Sequence, residues 1–316
     1  MSFVPIAKAM NVMVYAKNTD FFSFFNSPYY SHVNASAVDI YPKKRNADEV
    51  LAFSPVEGVI SKIHEVKSPV PKHFKASETE HLIVVSPREN PNVAVKLLHI
   101  NSNLERGMRI NVGDYLGKLV RSGFFNFWTN KHLHIEVRSL KNPLRAKGAY
   151  HLAPVNSCDN DLRWQKGPSF EGGRFEEIKE NYAIIGLKEG VVKIGKFWGF
   201  GCITRGVEGV VDGGIPHYGY GGVHLINSSK IRVGDKIRVE DNTIGTVTSV
   251  FKSAIKFKCS PAFIYLNNHL IKGLSMYCQL EETSTIKVIP QFPNAFKNFK
   301  MGSDVYFKLV TQISGR

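Results

Sequence analysis

Up to about residue 150 no apolar pattern lasts long enough to make an amphipathic helix. The chain instead breaks into short runs, "LAFSPVEGVISKIHEV", "HLIVVSP", "VAVKLLHI", "MRINVGDYLGKLV" and "KHLHIEVR", which read as strands. Pro- and Asn-rich pieces such as "SPVPKHF" and "SPRENPN" punctuate them. Spacing of this kind predicts a mainly β fold, a compact antiparallel barrel or sandwich.

A boundary is expected in "LAPVNSCDNDLRWQKGPSFEGG", where apolar periodicity lapses and turn residues gather. The predicted organisation is a leading segment over 1–28, one β domain over 29–155 and a second β-rich domain over 156–316. In the second, "RFEEIKENYA" reads as a short helix, followed by strand-like pieces such as "GVVKIGKFW", "KIRVGDKIRVE" and "TIGTVTSVF". "RINVGD" and "KIRVGD" resemble each other as a shared turn rather than as a domain duplication.

Bulk properties narrow the function classes. With 316 residues the chain can bury more than one core. No apolar run reaches the length of a transmembrane helix, and the amino terminus lacks a secretion signal, so cytoplasmic is the default expectation, with export by another route left open. Four cysteines (Cys158, Cys202, Cys259, Cys278) contain no Cys-x-x-Cys and read as free thiols. A formal charge of +14 invites a polyanion, but basicity is diffuse: 20 Lys+Arg against 12 Asp+Glu up to residue 150, and 21 against 15 after it. No dedicated nucleic-acid module is indicated.

The chemistry-bearing stretch is "NKHLHIEVR". Alternation puts His132, His134, Glu136 and Arg138 on one face of a strand, turned to a cleft or solvent, and Leu133, Ile135 and Val137 on the other, turned to a core. Catalytic zinc needs three protein ligands and an open position, so partners must come from other segments. "SHVNASAVDIYP" supplies His32 and Asp39, the latter an acid in an apolar stretch that is costly to bury unless paired or bound to a cation. "VKLLHIN" supplies His99. His217 and His224, in a Gly-rich stretch, read as loop histidines without a metal role.

In this order "HVNASAVDIYP", "LAFSPVEGVISKI", "KLLHIN", "RGMRINVGDYLGKLVRSG" and "KHLHIEVR" resemble the lysostaphin-like (LytM-type) zinc metallopeptidases, over residues 29 to 150. The resemblance implies a duplicated hybrid motif barrel-sandwich, with one zinc on His32, Asp39 and His134. It implies that His99 and His132 serve catalysis beside the scissile carbonyl, where a histidine can take and return a proton. Glu136 stands where it can orient an imidazole from behind. The implied substrate is a peptide or peptide-containing polymer, cross-linked or Gly-containing.

Two departures stand out. Family members have His and Asp four apart with a Gly between; here the gap is seven, "VNASA" has no Gly, and the position four before Asp39 is Ala35. The approach to His-x-His, "RSGFFNFWTNK", is aromatic, and Phe124, Phe125, Phe127 and Trp128 either line a substrate groove or anchor the loop into the neighbouring domain. The alternative function is a non-catalytic binding or carrier-like barrel-sandwich that retains a metal site.

Overall fold

The computed structural model describes residues 2–43, 48–156, 162–165, 172–282 and 285–311, with backbone alone for 162–165 and 311. Almost every element is an antiparallel strand; the one helix among the described residues is the single turn Tyr30–Val33. No helix among them is long and apolar enough to cross a membrane. The chain divides into two units: Met1–Phe24 with Tyr29–Val155, and Phe25–Pro28 with Asn156–Arg316. Cys158 lies outside the described residues; Cys202, Cys259 and Cys278 are free thiols.

In the first unit the strand Val93–Asn101 is central. It pairs with Thr79–Pro87 along one edge and with Leu133–Ser139 along the other. Leu133–Ser139 pairs onward with Val38–Tyr41, and that with Phe21–Ser23. Beyond Thr79–Pro87 lie Gly58–Lys67 and Arg109–Ile110. Residues on both faces of the central strand are buried, as a strand covered by a second layer requires.

The leading residues do not stand apart. Phe3–Ala9 and Val12–Lys17 form a hairpin that also pairs with Ala153–Pro154, so both ends of the first unit share a three-stranded sheet. Met10 and Asn11 make the two-residue turn, both with positive φ (48° and 67°), as the right-handed strand twist requires.

The second unit holds a closed six-stranded barrel. Its strands run Phe197–Thr204, Val207–Ile215, Tyr220–His224, Ala254–Cys259, Asn242–Val250 and Lys236–Val239, which pairs back to the first at Ile203↔Arg238. Val211, Val223, Ile237, Val247, Ile255 and Phe257 belong to its core. A second sheet joins Gly173–Ile178, Ala183–Leu187, Thr285–Ile289 and Gly273–Met276 to the end of Val207–Ile215.

One sequence expectation is corrected here. "RFEEIKENYA" is not a helix: it spans most of the hairpin of Gly173–Ile178 with Ala183–Leu187. Burial alternates along Gly173–Phe175–Glu177 with period two, and Phe175 enters the core while Arg174 and Glu176 face out. The two Val-Gly-Asp stretches are the same turn built twice. Asp114 and Asp235 each accept a bond from the backbone N–H three residues earlier, at 2.7 Å, and Gly113 and Gly234 take φ of 91° and 96°.

Asp20 is buried in the first unit, and burial, opposed by Lys17, raises its pKa to about 6. A folded-state pKa above the ordinary value means stability that is present at low pH and lost as pH rises through about 6. Asp20→Asn is therefore expected to gain stability relative to the parent chain between about pH 4 and pH 8, by on the order of 2 kcal/mol. Urea unfolding at several pH values reads it; identical pH slopes for the two proteins would refute it.

Candidate metal centre

The site is assembled by strand register. His134 is directly paired with Asp39 across the Leu133–Ser139/Val38–Tyr41 ladder, so their side chains share a face. On its other edge His134 is paired with Leu98. Immediately after, the central strand carries an extra residue: Leu97 pairs with Ile83 and Ile100 with His81, leaving Leu98 and His99 opposite Leu82 alone. This bulge gives His99 a left-handed backbone (φ 69°) and redirects its side chain. There the strand also changes partner, since Ile100 and Asn101 pair with Leu119 and Lys118.

His32 arrives from the helical turn Tyr30–Val33. The seven-residue gap to Asp39 is absorbed by a compact loop in which Ala35 takes φ 50° and the Ser36 amide and hydroxyl both bond the Ser31 carbonyl, at 2.7 and 2.9 Å. Ala35 accordingly supplies the conformation that a Gly would adopt more easily. His32, rather than position 35, reaches Asp39.

Three ligand atoms converge. His32 Nε2 lies 3.2 Å from His134 Nδ1 and 3.2 Å from Asp39 Oδ1, and His134 Nδ1 lies 2.8 Å from Asp39 Oδ1. These three residues form a group able to hold a metal ion. Ligand atoms at roughly 2.0–2.2 Å around a tetrahedral ion stand roughly 3.3–3.6 Å apart, close to this spacing. The tautomers are also set. The Nδ1–H of His32 donates to the Phe24 carbonyl at 2.9 Å, and the Nε2–H of His134 donates to Glu136 Oε1 at 3.0 Å. In the neutral rings this leaves His32 Nε2 and His134 Nδ1 as lone pairs, both aimed at a carboxylate oxygen. Three lone pairs at this separation repel unless a cation or a proton sits among them.

Charge distribution around the trio agrees. Burial alone would raise the Asp39 pKa, but His132, His32 and His134 outweigh it and hold the carboxyl well below the ordinary range. Burial disfavours a charged His134, yet hydrogen bonds to Asp39 and Glu136 raise its pKa to about 9. Glu136 is itself lowered to about 2: burial opposes, but His134, Lys96 and Arg138 prevail. His132 goes the other way, to about 4, because burial exceeds the pull of Asp39. Carboxylate contacts thus draw His134 toward its protonated form, while burial draws His132 toward its neutral form.

The helper histidines flank the trio. His132 Nδ1 donates to the Asn130 carbonyl at 2.9 Å and its Nε2 lies 3.4 Å from Asp39 Oδ2. His99 Nδ1 meets Glu80 Oε2 at 2.9 Å, and its ring centroid is 5.0 Å from that of His132 and 6.0 Å from that of His134. Five residues named from sequence thus meet at one point. All five are buried, none more than 8% exposed, on the face that alternation turned to a cleft or solvent.

Glu136 and Arg138 make that difference clear. Arg138 is fully buried; it bonds Glu136 and the Lys147 carbonyl, and donates to the Asn142 carbonyl at 3.1 Å. Lys96 lies 3.5 Å from the same Glu136 oxygen. The result is a buried relay, Arg138 and Lys96 to Glu136 to His134 to Asp39, that fixes the His134 ring.

The aromatic loop is anchored within its own unit. Gly123 N donates to Ser68 Oγ at 2.5 Å, and a Cβ at Gly123 would fall 1.7 Å from the Pro69 carbonyl oxygen. Tyr29 bonds the Phe124 carbonyl at 2.5 Å and Arg121 the Phe127 carbonyl at 2.7 Å. Phe125 stacks on His132 (centroids 4.6 Å, planes 20° apart) and meets His99 edge-on at 4.7 Å. Phe127 packs edge-on against Trp128 at 4.8 Å, and of the four aromatics only Phe124 and Phe127 are not buried. Phe125 thus packs directly against His132 and His99.

Sequence reading missed Glu80, Tyr41, Lys96 and the buried role of Arg138. Tyr41 donates to Asp39 Oδ2 at 3.3 Å. Its signal was present, two residues from Asp39 on the same strand face; Glu80 lies in a polar stretch, "SETEH", that offered none. His224 was read as a loop histidine but ends the strand Tyr220–His224 and is fully buried.

Residues 10–154 match the model of the N-terminal domain, and residues 171–310 that of the C-terminal domain, of a family described as Domain of unknown function (DUF8155). No curated protein matches the chain.

Removing one member of a buried ion pair leaves an uncompensated charge. Arg138→Met is therefore expected to cost roughly 3–5 kcal/mol, read by urea unfolding. A loss below about 1 kcal/mol, the scale of an exposed pair, would show that Glu136 is satisfied without the guanidinium.

Proposed function

We propose that this chain, which belongs to the DUF8155 family and carries both of its domains, is a zinc-dependent metalloendopeptidase whose catalytic domain is the first unit. The observation that carries this reading is the convergence of His32 Nε2, Asp39 Oδ1 and His134 Nδ1 with lone pairs turned inward. Two imidazoles and one carboxylate are a ligand set of catalytic zinc, and they leave a coordination position unfilled by protein. When bound there, zinc supplies Lewis acidity that polarises an amide carbonyl and makes water more acidic.

The chain's own residues supply the rest. Glu136 holds the Nε2–H of His134 and keeps its Nδ1 lone pair inward, as Phe24 does through Nδ1–H of His32. His132 and His99 stand beside the ligands without belonging to the trio. The Asn130 carbonyl fixes the Nδ1–H of His132, so its Nε2 is the atom that takes or returns a proton. Glu80 orients His99 in the same way through Nδ1. Phe125, stacked on His132, excludes water from that ring and must yield for a peptide to reach it. The substrate class is a peptide or peptide-containing polymer, with cross-linked or Gly-containing peptides as the first to try. This extends the resemblance of the five ordered segments to lysostaphin-like peptidases.

A second reading, a non-catalytic binding or carrier-like protein that keeps a metal site, is favoured by one observation: all five residues are buried, with Phe125 packed on His132 and His99. The two readings separate in one experiment. His134→Ala removes a ligand and is expected to lose zinc and activity together. His99→Ala and His132→Ala are expected to keep zinc and to lower peptide hydrolysis by roughly 10²–10⁴-fold. Zinc content by elemental analysis and cleavage of a Gly-rich peptide panel are the two readouts. Zinc loss in His132→Ala equal to that in His134→Ala would overturn the division of roles. Zinc-loaded parent protein that cleaves no member of the panel would favour the binding reading.

A further inference from the structure

A second cluster of metal-ligating side chains lies in the second unit, among residues that sequence reading did not connect. Asp212 comes from the strand Val207–Ile215, His224 ends the strand Tyr220–His224, and Cys278 lies on Cys278–Gln279. The first two strands are neighbours in the barrel, paired at Val210↔His224 and Asp212↔Gly222; the third pairs through Gln279 with Trp198. His224 Nε2 is 2.9 Å from Asp212 Oδ2, and the imidazole is flanked by the rings of Phe197 and Phe25 at 5.6 and 6.1 Å. One ligand atom from each of the three residues lies within 4.8 Å of the others, and all three residues are 0% exposed.

From this geometry we propose that Asp212, His224 and Cys278 form a second, structural metal site that takes a thiophilic divalent cation of the zinc class. Donor chemistry selects the ion: a thiolate with an imidazole suits zinc and disfavours magnesium or calcium, which take oxygen donors. Charge selects it too. A carboxylate and a thiolate carry two negative charges with a neutral imidazole, so a divalent ion leaves the buried site neutral. Binding therefore releases the thiol proton to solvent as the metal–sulfur bond forms. Because the donors are fully buried, no substrate reaches the ion, and its effect is to tie three strands together. The inference does not rest on the peptidase reading, since none of its ligands belongs to the first unit.

Cobalt is the probe, because thiolate ligation gives a charge-transfer absorption in the near ultraviolet that the nitrogen and oxygen donors of the first centre do not give. The full chain carrying His134→Ala, which disables the first centre, is produced in cobalt-supplemented medium so that the closed site is loaded during folding. It is expected to carry about one cobalt per chain and to show the band. Adding Cys278→Ala removes both; adding Cys202→Ala, a second buried thiol, removes neither. Should Cys278→Ala fail to fold, Asp212→Asn keeps the shape and is expected to lower cobalt retention on dialysis at least tenfold. Absence of the band from the His134→Ala chain, its survival in Cys278→Ala, its loss in Cys202→Ala, or unchanged retention in Asp212→Asn would each overturn the proposal.

Discussion

Three lone pairs pointed at one another inside a protein are untenable without a positive charge between them, and the first unit is organised around that fact. His32, Asp39 and His134 present acceptor atoms 2.8 to 3.2 Å apart where solvent cannot separate them. Hydrogen bonds to Asp39 and Glu136 accordingly raise the pKa of His134 to about 9 against the cost of burial.

Holding such a geometry requires support from outside the trio. His32 and His134 each spend one ring nitrogen on a fixed acceptor, the Phe24 carbonyl for His32 and Glu136 for His134. Glu136 in turn is a buried carboxylate that needs Lys96 and Arg138, and Arg138 needs the Asn142 and Lys147 carbonyls. Each link removes a rotational freedom from the one inside it. The arrangement is costly in desolvation and is repaid only if every member is present, which makes it sensitive to single changes far from the ligands.

Strand patterning made part of this legible. Period two in "KHLHIEVR" gave the common face of His132, His134 and Glu136, and the isolated acid in "SAVDIYP" marked Asp39. The β character of both units followed from short apolar runs between turn residues. What alternation does not encode is which strand lies next to which. Arg138 was placed on a face open to a cleft or solvent, because its acceptors, on the turn at 139–147, become neighbours only when the chain folds back. Glu80 reaches His99 across 19 residues and a bulge that no propensity signals. His224 looked like a loop residue among glycines, since Asp212 meets it only across the ladder of Val207–Ile215 with Tyr220–His224, and Cys278 only from a strand outside the six of the barrel. The helix expected over 174–183 failed for a related reason: a run of Glu and Lys favours helix locally, but burial of Phe175 and pairing with Ala183–Leu187 override it.

The contrast between His132 and His134 shows how register divides labour between identical side chains two residues apart. Both face the same way, and both are buried in the same low-dielectric pocket. His134 sits directly opposite Asp39 with Glu136 behind it, so two carboxylates outweigh desolvation and the ring holds charge. His132 lies just before the strand begins, faces only one carboxylate at 3.4 Å and is stacked under Phe125, so desolvation prevails and the ring stays neutral. A neutral imidazole can accept a proton and a charged one cannot. The two rings are thus drawn to opposite charge states by what each faces: a directly paired Asp39 with Glu136 behind it for His134, and a more distant Asp39 under the Phe125 ring for His132.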